Sequence, residues 1–474
     1  ETLTSAGIGE AVITVMNEKG APTPVALTRL RAPESVMGPS DEALVRSTVA
    51  GSALLAKYGT AVDNHSAFEK LSGKAAAPTG PVFVSIPMDI LDEQVPDDST
   101  APPPSRIERA NGPSDAVLLA LAHRLLSTPP GKLAIVAGDE TGTEWGMQAL
   151  VAVAEALGAP VFGAPLRAVT VFPPRHPLFA GDLAAAAAAV RAALAPFERV
   201  LVIGNRTFTA YPYTPGSPLP DGVDLVHIAP DPAALGRVLP TGVGVVGDPA
   251  TTLAALLPRL VEKADATAAA AAIGQATERR AVNLATFERT AEERYADSPT
   301  HPMAAVHAVM RAVPEGTPVI DESITAANYV RGFHMDPTAL RYFSVTRGGG
   351  LGFGMPAAVG VSLGLDSAPA VCLVGDGSAM YSPQALWSAA HENVPVVFVV
   401  LNNRQYLILK NGLRGRKDAS AASGTFTAMD LDSPPVDYVS LARSMGVPGH
   451  RVESAAAAGD AARAAIEAAA GPVL

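Results

Sequence analysis

The chain has 474 residues, 48% of them hydrophobic, enough for two or three domains with separate buried cores rather than one packed unit. A formal charge of -11 and a pI near 5.3 argue against nucleic acid or an anionic membrane as partner, since both need a basic face to displace counterions. One cysteine, Cys372, leaves no internal disulfide and no cysteine-built zinc or iron-sulfur site, and its strand-like setting "PAVCLV" suits a buried small hydrophobe. No run approaches the roughly 18 to 20 apolar residues of a membrane helix, and no charged-then-apolar leader opens the chain, so a cytoplasmic enzyme is the expectation.

Three blocks of alternating strand-like and helix-like pattern follow one another, with two breaks between them. The first break, "DEQVPDDSTAPPPSRIERANGPSD", is too rich in proline and charge to form an element interior and reads as a linker. In the middle block, "KLAIVAGDE", "APVFGAP", "RVLVIGNRTF" and "DLVHIAPD" are short apolar runs ending in Gly, Asp or Asn, with alanine-rich helices between them. That pattern predicts βαβ units and a parallel sheet. Its glycines lack the G-x-G-x-x-G spacing that brings a helix N-terminus to a pyrophosphate, so a structural sheet without nucleotide is expected. The second break, about Glu262 to Pro302, is alanine-rich and reads as a helical connector.

The third block carries the most consistent local signals. "PAVCLV" is a buried strand, and Gly375 and Gly377 around Asp376 allow a sharp turn and a close approach to a ligand. Ser382 can cap a helix and Pro383 suits its first position; Ala385, Leu386, Ala389 and Ala390 share one face, and "VVFVVL" makes the next strand. A strand, crossover helix and parallel strand put both strand C-termini on one sheet edge, so Asp376 and Asn403 converge.

A carboxylate, a carboxamide and a backbone carbonyl just beyond form an all-oxygen set, suited to magnesium or calcium rather than zinc. Such a partial shell leaves room for phosphate oxygens, and amide N-H groups of the glycine turn with the following helix start offer an anion its place. Taken singly, each feature has an ordinary alternative: Asp376 as the cap of a turn, Asn403 as the end of a strand. Inside one βαβ unit they point together to a metal-diphosphate site.

These residues resemble a known family. "GDGSAMYS" followed by "LNN", with "GGGLGFGMPAAVGVSLG" upstream, is similar to the cofactor signature of thiamine diphosphate enzymes, in particular the benzoylformate decarboxylases of the pyruvate-oxidase-like group. "TSAGIGEAVITVMNEKGAPTPVALTRL" and "GPVFVSIPMDI" resemble parts of a pyrimidine-binding domain; "FPPRHPLFAGD" and "YTPGSPL" resemble the central domain. The resemblance implies an α/β fold of three doubly wound parallel-sheet domains: a pyrimidine-binding domain over 1–95, incomplete at its start, a central domain over 112–262 and a diphosphate-binding domain over 300–474. It implies thiamine diphosphate and Mg2+ as cofactors and non-oxidative decarboxylation of a small 2-oxo acid, a carbon-carbon lyase reaction, with or without carboligation. At least a homodimer is implied, with the cofactor between subunits, and homotetramers are common among such enzymes.

Carried over by motif, Asp376, the side chain of Asn403 and the carbonyl of Gln405 would bind magnesium. Thr325, Gly377 and Ser378 would hold the diphosphate, with Gly375 and Tyr406 also against the cofactor. Leu351 would be the apolar wedge that bends the cofactor, and the Gly349 carbonyl would hold its amino group. Three departures stand out. The activating glutamate of the family finds no match: neither Glu10 nor Glu42 has the right surroundings, so that residue is expected upstream of Glu1 in an incomplete chain, and the ending "AGPVL" reads likewise. The two active-site histidines of the benzoylformate decarboxylases are matched by Thr4 and Tyr211, neither of which shuttles a proton near neutral pH as imidazole does; Tyr211 can still donate a hydrogen bond, or can merely cover a loop. Ile408 stands where that family's pocket wall is small, which favours a smaller or differently shaped acyl group.

Two alternatives stand beside this reading: an acetolactate-synthase-like or acyl-CoA lyase activity, which a nucleotide-anchoring pattern in the central domain would support and the sequence does not show, and a cofactor-binding but non-catalytic subunit, suggested by the unmatched glutamate and histidines. Elsewhere ordinary readings hold. His176 and His391 are structural, Trp387 and Phe398 belong to the core, and Arg414 to Asp418 form a solvated charge run.

Overall fold

The computed structural model describes residues 10–13, 26–29, 43, 47 and 50, and residues 112–474 apart from 207, 211–214, 238 and 339. In the first segment, β1 (Glu10–Ile13) pairs antiparallel with β2 (Ala26–Arg29), Ile13 lying opposite Ala26. This departs from the parallel pairing expected there.

Ala110–Leu474 form one compact unit containing two parallel sheets. The first runs β5–β4–β3–β6–β7–β8, built from β3 (Leu133–Ala137), β4 (Val161–Gly163), β5 (Phe179–Asp182), β6 (Arg199–Ile203), β7 (Asp224–Ala229) and β8 (Val243–Val246). Every strand pair in it is parallel. Its central strands are apolar on both faces, as helices on both sides demand. Leu133, Ile135 and Ala137 pack under α1 (Asp115–Leu126), α2 (Glu144–Leu157) and α4 (Pro249–Val261). Ala134 and Val136, pointing the other way, meet Val190 and Leu194 of α3 (Ala187–Leu194). Side-chain caps set the helix starts: Thr143 accepts from Gly146 N at 3.0 Å, and Asp248 accepts from Thr251 N at 2.8 Å with Pro249 behind it. The alanine-rich connector is one helix, α5 (Ala266–Glu292), capped by Asp265.

The second sheet runs β10–β9–β11–β12, from β9 (Val319–Glu322), β10 (Tyr342–Ser344), β11 (Ala370–Gly375) and β12 (Val396–Leu401), again all parallel. One face packs on α8 (Gly354–Gly364) and α10 (Ala385–His391), which follows the single turn α9 (Asp376–Ala379). The other packs on α6 (Pro302–Ala312) and α7 (Ala327–Phe333). Three later helices, α11 (Leu407–Gly415), α12 (Ala419–Ser423) and α13 (Tyr438–Ser444), precede α14 (Ala455–Ala468). Cys372 and Phe398 are core, as read from sequence, but Trp387 is not: it is 57% exposed and stacks on His391 with ring centroids 4.8 Å apart. It sits on the outer face of α10, opposite Leu386 and Ala389.

The two sheets are tied by a polar seam. Ser344 N donates to Ala168 O at 2.8 Å, Thr346 Oγ1 donates to Arg167 O at 3.1 Å, and Arg167 pairs with Asp182 at 2.6 Å. Arg331 reaches the same Asp182 at 3.7 Å, and the Arg167 guanidinium lies over the Tyr342 ring. Among the described residues no helix is long and apolar enough to cross a membrane.

Candidate cofactor and metal site

The β11–α10–β12 crossover is parallel, with Gly375 in register with Leu401, so Asp376 and Asn403 emerge at the same edge of the sheet. Asp376 is 3% exposed, and its Oδ1 accepts from Gly377 N at 2.9 Å. Its Oδ2 is buried with no hydrogen-bond partner. Burial pushes its carboxyl above the ordinary carboxylate range, opposed by the backbone amides of Gly377, Arg404 and Gln405. Those last two amides bring the segment after β12 against the carboxylate.

That segment is tightly folded. Asn402 Oδ1 accepts from Arg404 N at 3.2 Å, Asn403 Oδ1 accepts from Gln405 N at 3.0 Å, and Arg404 takes a left-handed φ of 55°. The Gln405 carbonyl accepts from Leu407 N at 2.9 Å, and its carboxamide oxygen accepts from Lys410 Nζ at 2.9 Å. Lys410, buried, also pairs with Asp430. Among the described residues no cluster of three or more His, Cys, Asp or Glu could hold a metal. The donors here are instead one carboxylate, one carboxamide and one carbonyl, each with a lone pair to spare. An orphaned carboxylate oxygen inside such an all-oxygen set fits a hard divalent cation.

Neither Gly375 nor Gly377 has a positive φ, so backbone freedom is not what requires them. Gly377 is needed for space: a Cβ there would lie 2.6 Å from the Tyr406 ring. Gly377→Ala should therefore cost about 1–3 kcal/mol in urea unfolding. Gly375→Ala, whose Cβ meets nothing closer than 3.9 Å, should stay within about 0.5 kcal/mol of the parent. Ser378 is buried beside them. The helix start expected after this turn is a single turn only, so an anion here would rely on individual amides and the Ser378 hydroxyl rather than on a helix dipole. Nor does Ser382 cap α10: the helix begins after Gln384, and the Ser382 hydroxyl donates to the Gly352 carbonyl at 2.7 Å.

That bond ties in the glycine loop. Gly349 and Gly352 have φ of 69° and 91°, and Leu351 between them is 41% exposed, unlike a core leucine. Thr325 is half-buried in the 3-10 turn Ile324–Ala326, whose first residue, Ile324, has a φ of 53° that is unusual for a β-branched side chain. Ile408 is exposed on α11. Thr4 and Tyr211 lie outside the described residues.

Sequence reasoning missed two carboxylates at the end of β9. Asp321, fully buried, accepts from Ser323 N at 2.9 Å, Ser323 Oγ at 2.6 Å and Tyr342 Oη at 2.7 Å, and so anchors the turn before Thr325. Glu322, buried on the opposite side of the strand, accepts from Gly352 N at 2.6 Å and Gly354 N at 2.5 Å. Two adjacent acidic residues at a strand end read as an exposed terminus; only the loops folded over them reveal otherwise. Tyr438, which donates to the Asp376 carbonyl at 2.8 Å, was missed for the same reason.

Comparison with known proteins bears on this geometry. Residues 323–474 match "Thiamine pyrophosphate enzyme, C-terminal TPP binding domain", and residues 124–256 match "Thiamine pyrophosphate enzyme, central domain". Benzoylformate decarboxylase of Pseudomonas aeruginosa is 32% identical over 371 residues, 78% of this chain and 65% of that protein. The chain belongs to the thiamine pyrophosphate enzymes.

Other likenesses extend over most of the chain. Sulfoacetaldehyde acetyltransferase of Alcaligenes xylosoxydans xylosoxydans is 28% identical over 444 residues, 87% of this chain and 70% of that protein. The solved thiamine diphosphate-dependent 4-hydroxybenzoylformate decarboxylase of Rhodococcus jostii RHA1 superposes with a TM-score of 0.65 at 28% identity, covering 78% of this chain and 65% of that one. Benzoylformate decarboxylase of Polynucleobacter necessarius has a TM-score of 0.70 at 23% identity over 84% of this chain and 70% of that one, a likeness of fold. The chain spans just under two thirds of the Pseudomonas aeruginosa relative. Residues 1–82 match "Helicase HerA-like C-terminal", a segment little of which is described.

Proposed function

We propose that this chain binds thiamine diphosphate through Mg2+ and decarboxylates a 2-oxo acid. The observation that carries the reading is the buried, unpartnered Asp376 Oδ2 facing the Asn403 segment at the C-terminal edge of a parallel sheet, where ligands of open α/β sheets bind. In this reading Asp376, Asn403 and the Gln405 carbonyl hold the cation, while Thr325, Gly377 and Ser378 hold the diphosphate, with Gly375 and Tyr406 alongside. Leu351 supports the bend of the cofactor and the Gly349 carbonyl receives its amino group. When bound, the cofactor supplies the electron sink that loss of carbon dioxide from a 2-oxo acid needs. The protein's part is to anchor, orient and exclude water. Ile408 would narrow the acyl pocket.

The exposed apolar side chains Leu351, Phe353, Met380 and Tyr381 suit coverage by a second copy, in a homodimer or homotetramer. The likeness to an acetyltransferase over most of the chain supports transfer of the acyl group to an acceptor as a second reading. Thiamine diphosphate with Mg2+ at a hundred times its Kd should stabilise the protein by about 2.7 kcal/mol, and EDTA should reverse this. A panel of 2-oxo acids, benzoylformate first, should then release carbon dioxide only with both present. No stabilisation and no release would sink the proposal.

A further inference from the structure

We propose that Glu322 is a positioning residue, whose buried carboxylate holds the glycine loop so that Leu351 stands out toward the cofactor. The inference rests on the site assigned above and adds a residue to it. Glu322 is 1% exposed at the end of β9, and no described cation pairs with it. Its neighbour Asp321 is a like charge. Burial raises its carboxyl, and the amides of Gly354, Gly352 and Phe353 work against that rise. An apolar side chain would be cheaper to bury at such a place. What the carboxylate does instead is bind the loop: one oxygen takes Gly352 N and the other takes Gly354 N.

The loop comes so close that a Cβ at position 354 would lie 2.9 Å from both the Cβ and Oε2 of Glu322. From the other side the Ser382 hydroxyl holds the Gly352 carbonyl. Gly352 is thus fixed through both its amide and its carbonyl in a left-handed conformation that its neighbours would not choose alone. Leu351 is the residue immediately before it, so its direction follows from that restraint. Asp321, on the other face of the same strand, does the corresponding work for the turn before Thr325. The two consecutive carboxylates divide the loops of the site between them.

Residue-resolved hydrogen exchange tests this without a variant. In the parent, the Gly352 and Gly354 amides should exchange about tenfold or more slowly than that of Gly350, which is exposed. Equal rates would overturn the proposal. Glu322→Gln keeps the size but puts an NH2 group against one of the two amides. Both should then exchange about tenfold faster, while amides of β11 keep their parent rates. The Kd for thiamine diphosphate with Mg2+ should stay within about threefold, since the anchoring groups are untouched. Exchange of the bound cofactor's thiazolium C2 proton, which needs no substrate, should slow about tenfold or more. Unchanged amide rates, an unchanged C2-proton rate or outright loss of cofactor binding in Glu322→Gln would each contradict the assignment. A parent that binds no cofactor sinks the functional reading instead, and the amide rates still decide whether Glu322 holds the loop.

Discussion

Asp376→Asn should lose metal-dependent retention of thiamine diphosphate, by about a hundredfold or more in affinity at fixed Mg2+, and should leave the apo protein as stable as the parent or more so. The two halves of this expectation come from one observation. In the absence of a cation, Asp376 Oδ2 is a buried acceptor with nothing to accept from, and burial of the charge outweighs the help of the nearby amides and so opposes folding. An asparagine keeps the shape and the bond from Gly377 N but removes the charge, so urea unfolding of the apo variant should show a gain of about 1 kcal/mol. A cation at this point converts the same oxygen from a liability to an anchor, which a carboxamide cannot replace in charge. Equal cofactor affinity in variant and parent would contradict the assignment. A loss of more than about 2 kcal/mol in the apo variant would mean that the carboxylate has a structural partner.

Asp182→Ala should be the most destabilising single change along the seam between the two sheets, at about 3 kcal/mol in chemical unfolding. Asp182 takes Arg167 at 2.6 Å and Arg331 at 3.7 Å, and those side chains are only 3% and 8% exposed. Removing it leaves two buried guanidinium groups without the carboxylate they share, one of them over the Tyr342 ring. Arg191 and Asp221 form the counterexample: they pair at 3.0 Å, but the aspartate is almost fully exposed. Arg191→Ala should change stability by less than about 1 kcal/mol, chiefly through its bond to the Leu219 carbonyl. Similar losses in the two variants would show that burial is not what sets the cost.

Periodicity made much of this fold legible. Strands β3, β4, β6 and β7 lie in the runs "KLAIVAGDE", "APVFGAP", "RVLVIGNRTF" and "DLVHIAPD", since a strand buried on both faces must be apolar throughout. The convergence of Asp376 and Asn403 was likewise readable, because a parallel crossover leaves both strand ends on one edge. Strands β5 and β8 were not readable: each has four residues, includes a glycine and lies at the sheet's margin, where partial exposure dilutes the apolar pattern. Ser382 and Trp387 misled for a related reason. A serine before a proline looks like a cap, and a tryptophan in an alanine-rich helix looks like core, yet tertiary context gave one a loop carbonyl and the other solvent. The roles of Asp321 and Glu322 depend on amides about thirty residues away for Glu322 and a tyrosine on the next strand for Asp321, a relation that no local pattern contains.

The central claim is that one cation joins Asp376 to the Asn403 segment and to a diphosphate. A crystal structure of the protein loaded with thiamine diphosphate and Mn2+, read by anomalous scattering, tests it most directly. The account predicts a single manganese peak within coordination distance, about 2.0–2.4 Å, of Asp376 Oδ2, Asn403 Oδ1 and the Gln405 carbonyl, with diphosphate oxygens completing the shell. A manganese ion elsewhere, or a bound cofactor with Asp376 Oδ2 still unliganded, would contradict it.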